Sequence, residues 1–159
     1  MIDTPSFVQL PAQHTAIIRL TIPREKIGEV MGPAYGEVMA VVAAQGATAV
    51  GRWFSHHLRT DPALFDFEVG VAVAAPIAAA GRVAAGHLPA VRALRTVYHG
   101  GYEGLGAAWG EFTQWTQVQS TQAQGHACAD DFIECYLAGP ESGSDASQWR
   151  TELTRPLRD

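Results

Sequence analysis

The chain is short of charge. Asp, Glu, Lys and Arg make up 17% of its 159 residues, against about 25% in ordinary soluble domains. Lysine is nearly missing, with Lys26 its single representative, and arginine supplies the remaining cations. The balance of 11 basic to 16 acidic residues, a net charge of −5, excludes the broad basic face that phosphate backbones require. Direct nucleic-acid binding is therefore not expected. Cysteine is scarce too. Cys128 and Cys135 fit neither a disulfide framework nor a CxxC redox or zinc pair, so a reducing, cytoplasmic compartment is expected. No apolar run is long enough to cross a bilayer. The most apolar stretch, residues 69–81, is too short and contains Pro76. The opening MIDTPSFVQLPAQHTAI lacks the basic and apolar regions of a secretory signal.

Catalytic and metal motifs are likewise missing. There is no GxSxG, no phosphate loop and no HExxH. His56 and His57 are neighbours on an expected strand and so point to opposite faces. His126-Ala-Cys128 with Asp130 and Asp131 offers ligand types without a zinc spacing. Neither a metal nor another cofactor is expected. What the chain does have is apolar bulk, 47% hydrophobic residues. That excludes disorder and suffices for one domain with a real core.

The sequence also repeats itself. MGPAYGE (31–37) is matched by LGAAWGE (105–111), which places Tyr35 over Trp109, and Gln45 over Gln119 at the same offset. The β-leaning runs TAIIRL (15–20) and RALRTV (92–97) precede the two copies. Downstream, FDFEVGVAV (65–73) resembles WRTELTRPL (149–157), with Glu68 over Glu152. Four elements in one order indicate a duplicated unit. The halves are expected at about 13–75 and 90–158, joined by an Ala/Gly/Pro connector at about 74–89. Each half reads as strand, helix, strand, strand. In the first, Met31, Ala34, Tyr35, Val38, Val41 and Val42 follow helical spacing, with Gly46 as the stop. Strands at 52–57 and 65–73 follow, with Thr60-Asp61-Pro62 as the turn. The second half runs from a strand at 91–98 to a helix at about 105–117 and strands at 131–137 and 149–157. Strands with one helix per unit predict an α+β fold with an antiparallel sheet, pseudo-twofold symmetry and a central cleft suited to a ligand.

Within 131–137, Phe132, Glu134 and Tyr136 share one strand face by the period of two. From spacing alone, Glu134 is as readily a solvated strand residue as a pocket acid. Trp53 and Ser55 lie where Phe132 and Glu134 lie in the repeat, so the first half has a hydroxyl where the second has an acid. Tyr35 and Trp109 are core aromatics by helical spacing, or they line the cleft.

YHGGYEGLGAAWGEFTQW (98–115), FIECYLAGP (132–140) and WRTELTRPL resemble the GyrI-like effector-binding family. The matching residues are Gly100 and Tyr102, Ala108-Trp109, Glu134-Cys135-Tyr136 with Pro140, and Thr151-Glu152 with Pro156. Tyr98 and Gly101 replace the family's usual His and Pro, and Thr154 stands where an aromatic is common. The resemblance implies a duplicated fold with a pocket for a small hydrophobic, often cationic, drug-like molecule. Glu134 would be the central acid, lined by Trp109, Tyr136, Phe132, Tyr35, Trp53 and Tyr102, with Glu152 near the rim. Such domains are fused to regulators of the AraC and MerR types or stand alone. The short stretch before Thr15 leads us to expect a stand-alone member. By family alone, gyrase or a transcription regulator would be a protein partner; the oligomeric state is left open. Some family members resemble hydrolases of strained, cyclopropane-containing electrophiles. In that alternative Trp109 and Glu134 are the working pair.

Overall fold

The computed structural model describes residues 1–122 and 129–157; His126 and Cys128 lie outside them. In chain order the elements are β1 (Ser6–Leu10), β2 (Gln13–Pro23), α1 (Ile27–Ala44), β3 (Phe54–Thr60) and β4 (Leu64–Val73). They continue with β5 (Ala84–Leu88), β6 (Val91–His99), α2 (Leu105–Gln122), β7 (Phe132–Ala138) and β8 (Arg150–Pro156). A 3-10 turn leads into each helix, at Arg24–Lys26 and Tyr102–Gly104. Contacts divide the chain into two compact units. One is Pro11–Ala90; the other joins Met1–Leu10 to Val91–Asp159.

In the first of these units the strands pair antiparallel in the order β3-β4-β2-β5. Alternation puts Ala16, Ile18, Leu20 and Ile22 of β2 on one face, beside Val71, Val69, Phe67 and Phe65 of β4. Ala34, Val38 and Val42, spaced by four along α1, close over that face, and all three are buried. Pro33 lies within α1. The helix stops where Gly46 takes φ 65°, with Gly46 N–H donating to Ala43 O and Ala47 N–H to Val42 O. Those two bonds satisfy carbonyls at the helix end, and the left-handed residue between them favours glycine. On the opposite face Asp66 accepts hydrogen bonds from Arg19 at 3.2 and 3.1 Å and from Arg59 at 3.0 Å, tying β4 to both neighbours.

The other unit follows the same plan, with antiparallel order β1-β6-β8-β7. Leu94, Tyr98, Leu153 and Leu157 pack with Ala108 and Phe112 of α2. Register makes the repeat explicit. Across one sheet runs the row Ile18, Val69, Ser55; across the other runs Thr96, Leu153, Glu134. Likewise His56 faces Glu68, and Cys135 faces Glu152. The sequence alignments of Ser55 with Glu134 and of Glu68 with Glu152 therefore hold in three dimensions.

Two strands were not anticipated. The expected connector at 74–89 contains β5, which pairs with β2. Residues ahead of the expected first half form β1, which pairs with β6. Each lies two residues upstream of a strand of one unit yet completes the sheet of the other.

Candidate functional site

Glu134 sits on β7 between Phe132 and Tyr136, on the face that α2 covers. Its row neighbour there is Leu153, an apolar wall. Its exposure is 9%. Trp109, in the second turn of α2, donates its indole Nε1–H to Glu134 Oε2 at 2.7 Å. Tyr136, two residues along the strand, donates its hydroxyl to Oε1 at 2.8 Å. Each carboxylate oxygen thus accepts one short bond from an aromatic side chain. Such bonds to an ionised acceptor are roughly twice as strong as neutral ones. Among the described residues no Lys, Arg or His pairs with Glu134. Burial pushes its carboxyl above the usual range, and the bonds from Trp109 and Tyr136 hold it part of the way down. A buried acid with two donors and, among the described residues, no counter-charge is the central chemical feature of this unit.

Aromatic rings frame it. The Trp109 ring lies 4.7 Å from Phe132 and 5.8 Å from Phe112. Tyr102 meets Tyr136 edge-on at 5.9 Å and Trp149 at 5.2 Å. Burial and the nearby Glu141 and Glu134 carboxyls push the Tyr102 hydroxyl upward. The turn leading into α2 is held by Tyr98, whose hydroxyl donates to Gly101 O at 2.8 Å. A Cβ on Gly104 would strike that same hydroxyl, so Tyr98 in this position leaves room only for glycine at 104.

The structure thus brings five expected site residues together: Glu134, Trp109, Tyr136, Phe132 and Tyr102. Tyr35 and Trp53 belong to unit Pro11–Ala90, where their rings stack on each other at 4.7 Å and 25°. In the same unit, Ser55 Oγ and His57 Nε2 are hydrogen-bonded at 3.2 Å, and both side chains are buried. Burial, with His56 and Arg24 nearby, lowers His57 to a pKa of about 4, so the imidazole is neutral near pH 7. This set repeats the other unit position by position, with a neutral pair in place of the acid. Glu152 is not part of the Glu134 cluster. It lies opposite Cys135, one step out of phase with Glu134, and pairs with Arg95 at 3.4 Å. His56 and His57 do face opposite ways, His56 reaching Glu68 at 3.7 Å. Sequence reading missed the Ser55–His57 pair, although two polar residues two apart on a strand share a face.

Among the described residues no group of three or more His, Cys, Asp or Glu is placed to hold a metal. No described helix is long and apolar enough to cross a membrane.

Among curated proteins none matches the chain. Solved structures do share its fold. The EcmrR C-terminal domain superimposes with a TM-score of 0.82 at 19% identity, covering 98% of both chains. EcmrR in its DNA complex scores 0.83 at 20% identity; the match covers 98% of this chain but spans only 57% of that one. SAV2435 bound to tetraphenylphosphonium scores 0.65 at 13% identity, covering 98% of this chain and 94% of that one. A hydrolase encoded by lin2189 from Listeria innocua scores 0.68 at 12% identity, covering 97% of this chain and 91% of that one. The family described as GyrI-like small molecule binding domain matches residues 3–158. With the duplicated fold and nearly full coverage, this chain belongs to the GyrI-like small-molecule-binding family.

Proposed function

We propose that the protein binds a small hydrophobic cation at Glu134, as a sensor or sequestering domain. The observation that carries this reading is the buried carboxylate with two aromatic donors and no described cationic partner. A lone buried charge is costly, and a lipophilic cation supplies the missing counter-charge. Faces of Trp109, Phe132, Tyr136 and Tyr102 add cation–π attraction, about 0.5–2 kcal/mol per well-placed ring. Within unit Pro11–Ala90, the stacked rings of Tyr35 and Trp53 are proposed as aromatic ligand contacts of that unit. The tetraphenylphosphonium complex of SAV2435 supplies a probe.

The test is calorimetric binding of tetraphenylphosphonium and of triphenylphosphine oxide, a neutral relative, to wild type and Glu134→Gln. The wild type is expected to favour the cation by about tenfold or more, which is about 1.4 kcal/mol. Glu134→Gln is expected to abolish that preference. Equal binding of both probes by both proteins would sink the reading.

A second reading uses the same residues. An acid whose pKa is raised by burial is suited to general acid or base work, and a hydrolase shares the fold. Glu134 would position or activate water against a strained electrophile stacked on Trp109. Mass spectrometry separates the two readings, since only an enzyme consumes a molar excess of ligand.

A further inference from the structure

The edge strand β5 runs antiparallel to β2, and His87 stands directly opposite His14. Both side chains are exposed. Their rings lie 5.9 Å apart, centre to centre, at 63°. Directly opposed residues have Cβ atoms about 4.5–5.5 Å apart and project to the same face. The two imidazoles therefore reach over one solvent-facing patch. A zinc ion about 2.0–2.1 Å from each ligating imidazole nitrogen, at a tetrahedral angle, places the two ring centres about 5 Å apart. The observed 5.9 Å is close to that, and rotation of the two exposed side chains brings a nitrogen of each to one ion.

We propose that His14 and His87 form a two-histidine site for a divalent late transition-metal ion such as Zn²⁺ or Ni²⁺. Neutral imidazole suits these ions, whereas Mg²⁺ and Ca²⁺ prefer oxygen. No third His, Cys, Asp or Glu among the described residues joins the pair, so water fills the other positions. The site is open and exchangeable, unlike a closed four-ligand structural centre. Its mechanical effect is specific. An ion held by both residues fastens β5, the strand that completes unit Pro11–Ala90, to β2. The two histidines are far apart in sequence, and ladder register alone reveals the pair.

The experiment uses untagged, chelator-stripped full-length protein, titrated calorimetrically with NiCl₂ or ZnCl₂, with MgCl₂ for comparison. Thermal unfolding is followed in parallel. Wild type is expected to bind one Ni²⁺ per chain and to unfold at a higher temperature with it, because the ion binds the folded state. His14→Ala and His87→Ala should each weaken Ni²⁺ binding by roughly tenfold or more, since each removes one of two ligands. The double variant should bind more weakly still, but by less than the two single losses added together, because the pair acts as one site. Mg²⁺ should do nothing. Calorimetry well below the unfolding temperature keeps the comparison valid if a variant is less stable, with His87→Gln as the milder substitution. His99→Ala serves as control, since His99 pairs with Asp3 at 2.8 Å. Equal Ni²⁺ affinity in wild type and both single variants would overturn the proposal. So would a stoichiometry of one ion per two chains, or an equal loss with His99→Ala.

Discussion

At the scale of the residue, the proposed cation site turns on Glu134 and on the bond it accepts from Trp109. Trp109→Phe keeps a ring against Phe132 but removes the donor at Oε2. A hydrogen bond to a charged group contributes about 1.5–3 kcal/mol. The loss should lower stability by an amount of that order and weaken tetraphenylphosphonium binding near neutral pH through a smaller ionised fraction of Glu134, readable by calorimetry at fixed pH. It should also push the Glu134 carboxyl further upward, because a bond that favours the ionised form is gone. The sign of the pH dependence follows from burial. In the folded protein Glu134 holds its proton to higher pH than in the unfolded chain. Its contribution to stability is fully present below the unfolded carboxyl pKa and is lost as pH rises through the raised folded value. Cation binding runs the other way, tightening as the acid ionises across that window. A titration of affinity against pH should show this rise in wild type, shift it upward in Trp109→Phe and flatten it in Glu134→Gln. That Phe132, Glu134 and Tyr136 share a face is legible from the period of two, but spacing alone leaves a solvated face equally open, and the pocket reading comes from the family resemblance. The Trp109–Glu134 bond is not legible from spacing, since it joins a helix to a strand whose meeting depends on tertiary packing. Glu152, which the resemblance placed near the rim, stands opposite Cys135 and pairs with Arg95, because neighbouring positions on β8 face opposite ways and Leu153 is the one beside Glu134.

At the scale of the element, the helices hold the rings in place. Phe112 is fully buried and its ring lies alongside that of Trp109. Phe112→Ala should cost about 3–5 kcal/mol, a large part of a typical margin of about 5–15 kcal/mol. It should also weaken cation binding, since Trp109 loses its support. Val118→Ala, at a position 53% exposed on the same helix, should stay within about 0.5 kcal/mol; urea unfolding of both variants makes the comparison. Helices α1 and α2 and strands β2, β3, β4, β6, β7 and β8 were legible from periodicity and turn chemistry. Strands β1 and β5 were not. Each is five residues long, and β5, Ala-Ala-Gly-His-Leu, has few β-branched or aromatic residues. Their partners, not their composition, make them strands.

At the scale of the whole molecule, the repeat extends to strand order. Each unit's fourth strand comes from the stretch just ahead of the other unit's first strand. Residues 1–10 are therefore not a dispensable tail. Deleting them removes the partner of β6 and should lower the unfolding midpoint well beyond the effect of a surface substitution. The loss should fall on Tyr98 and its neighbours, and hydrogen exchange along β6 would show it.

The strand order also says when the site comes into being. In unit Pro11–Ala90 every strand has been made once residue 90 leaves the ribosome. In the other unit β8, the last strand synthesised, lies between β6 and β7. Glu134 and Tyr136 are translated earlier, yet they have no wall until Leu153 and Thr151 slide in beside them. This half of the fold is thus completed only once β8 has been made, and a chain that ends before Arg150 carries Glu134 without the strand beside it.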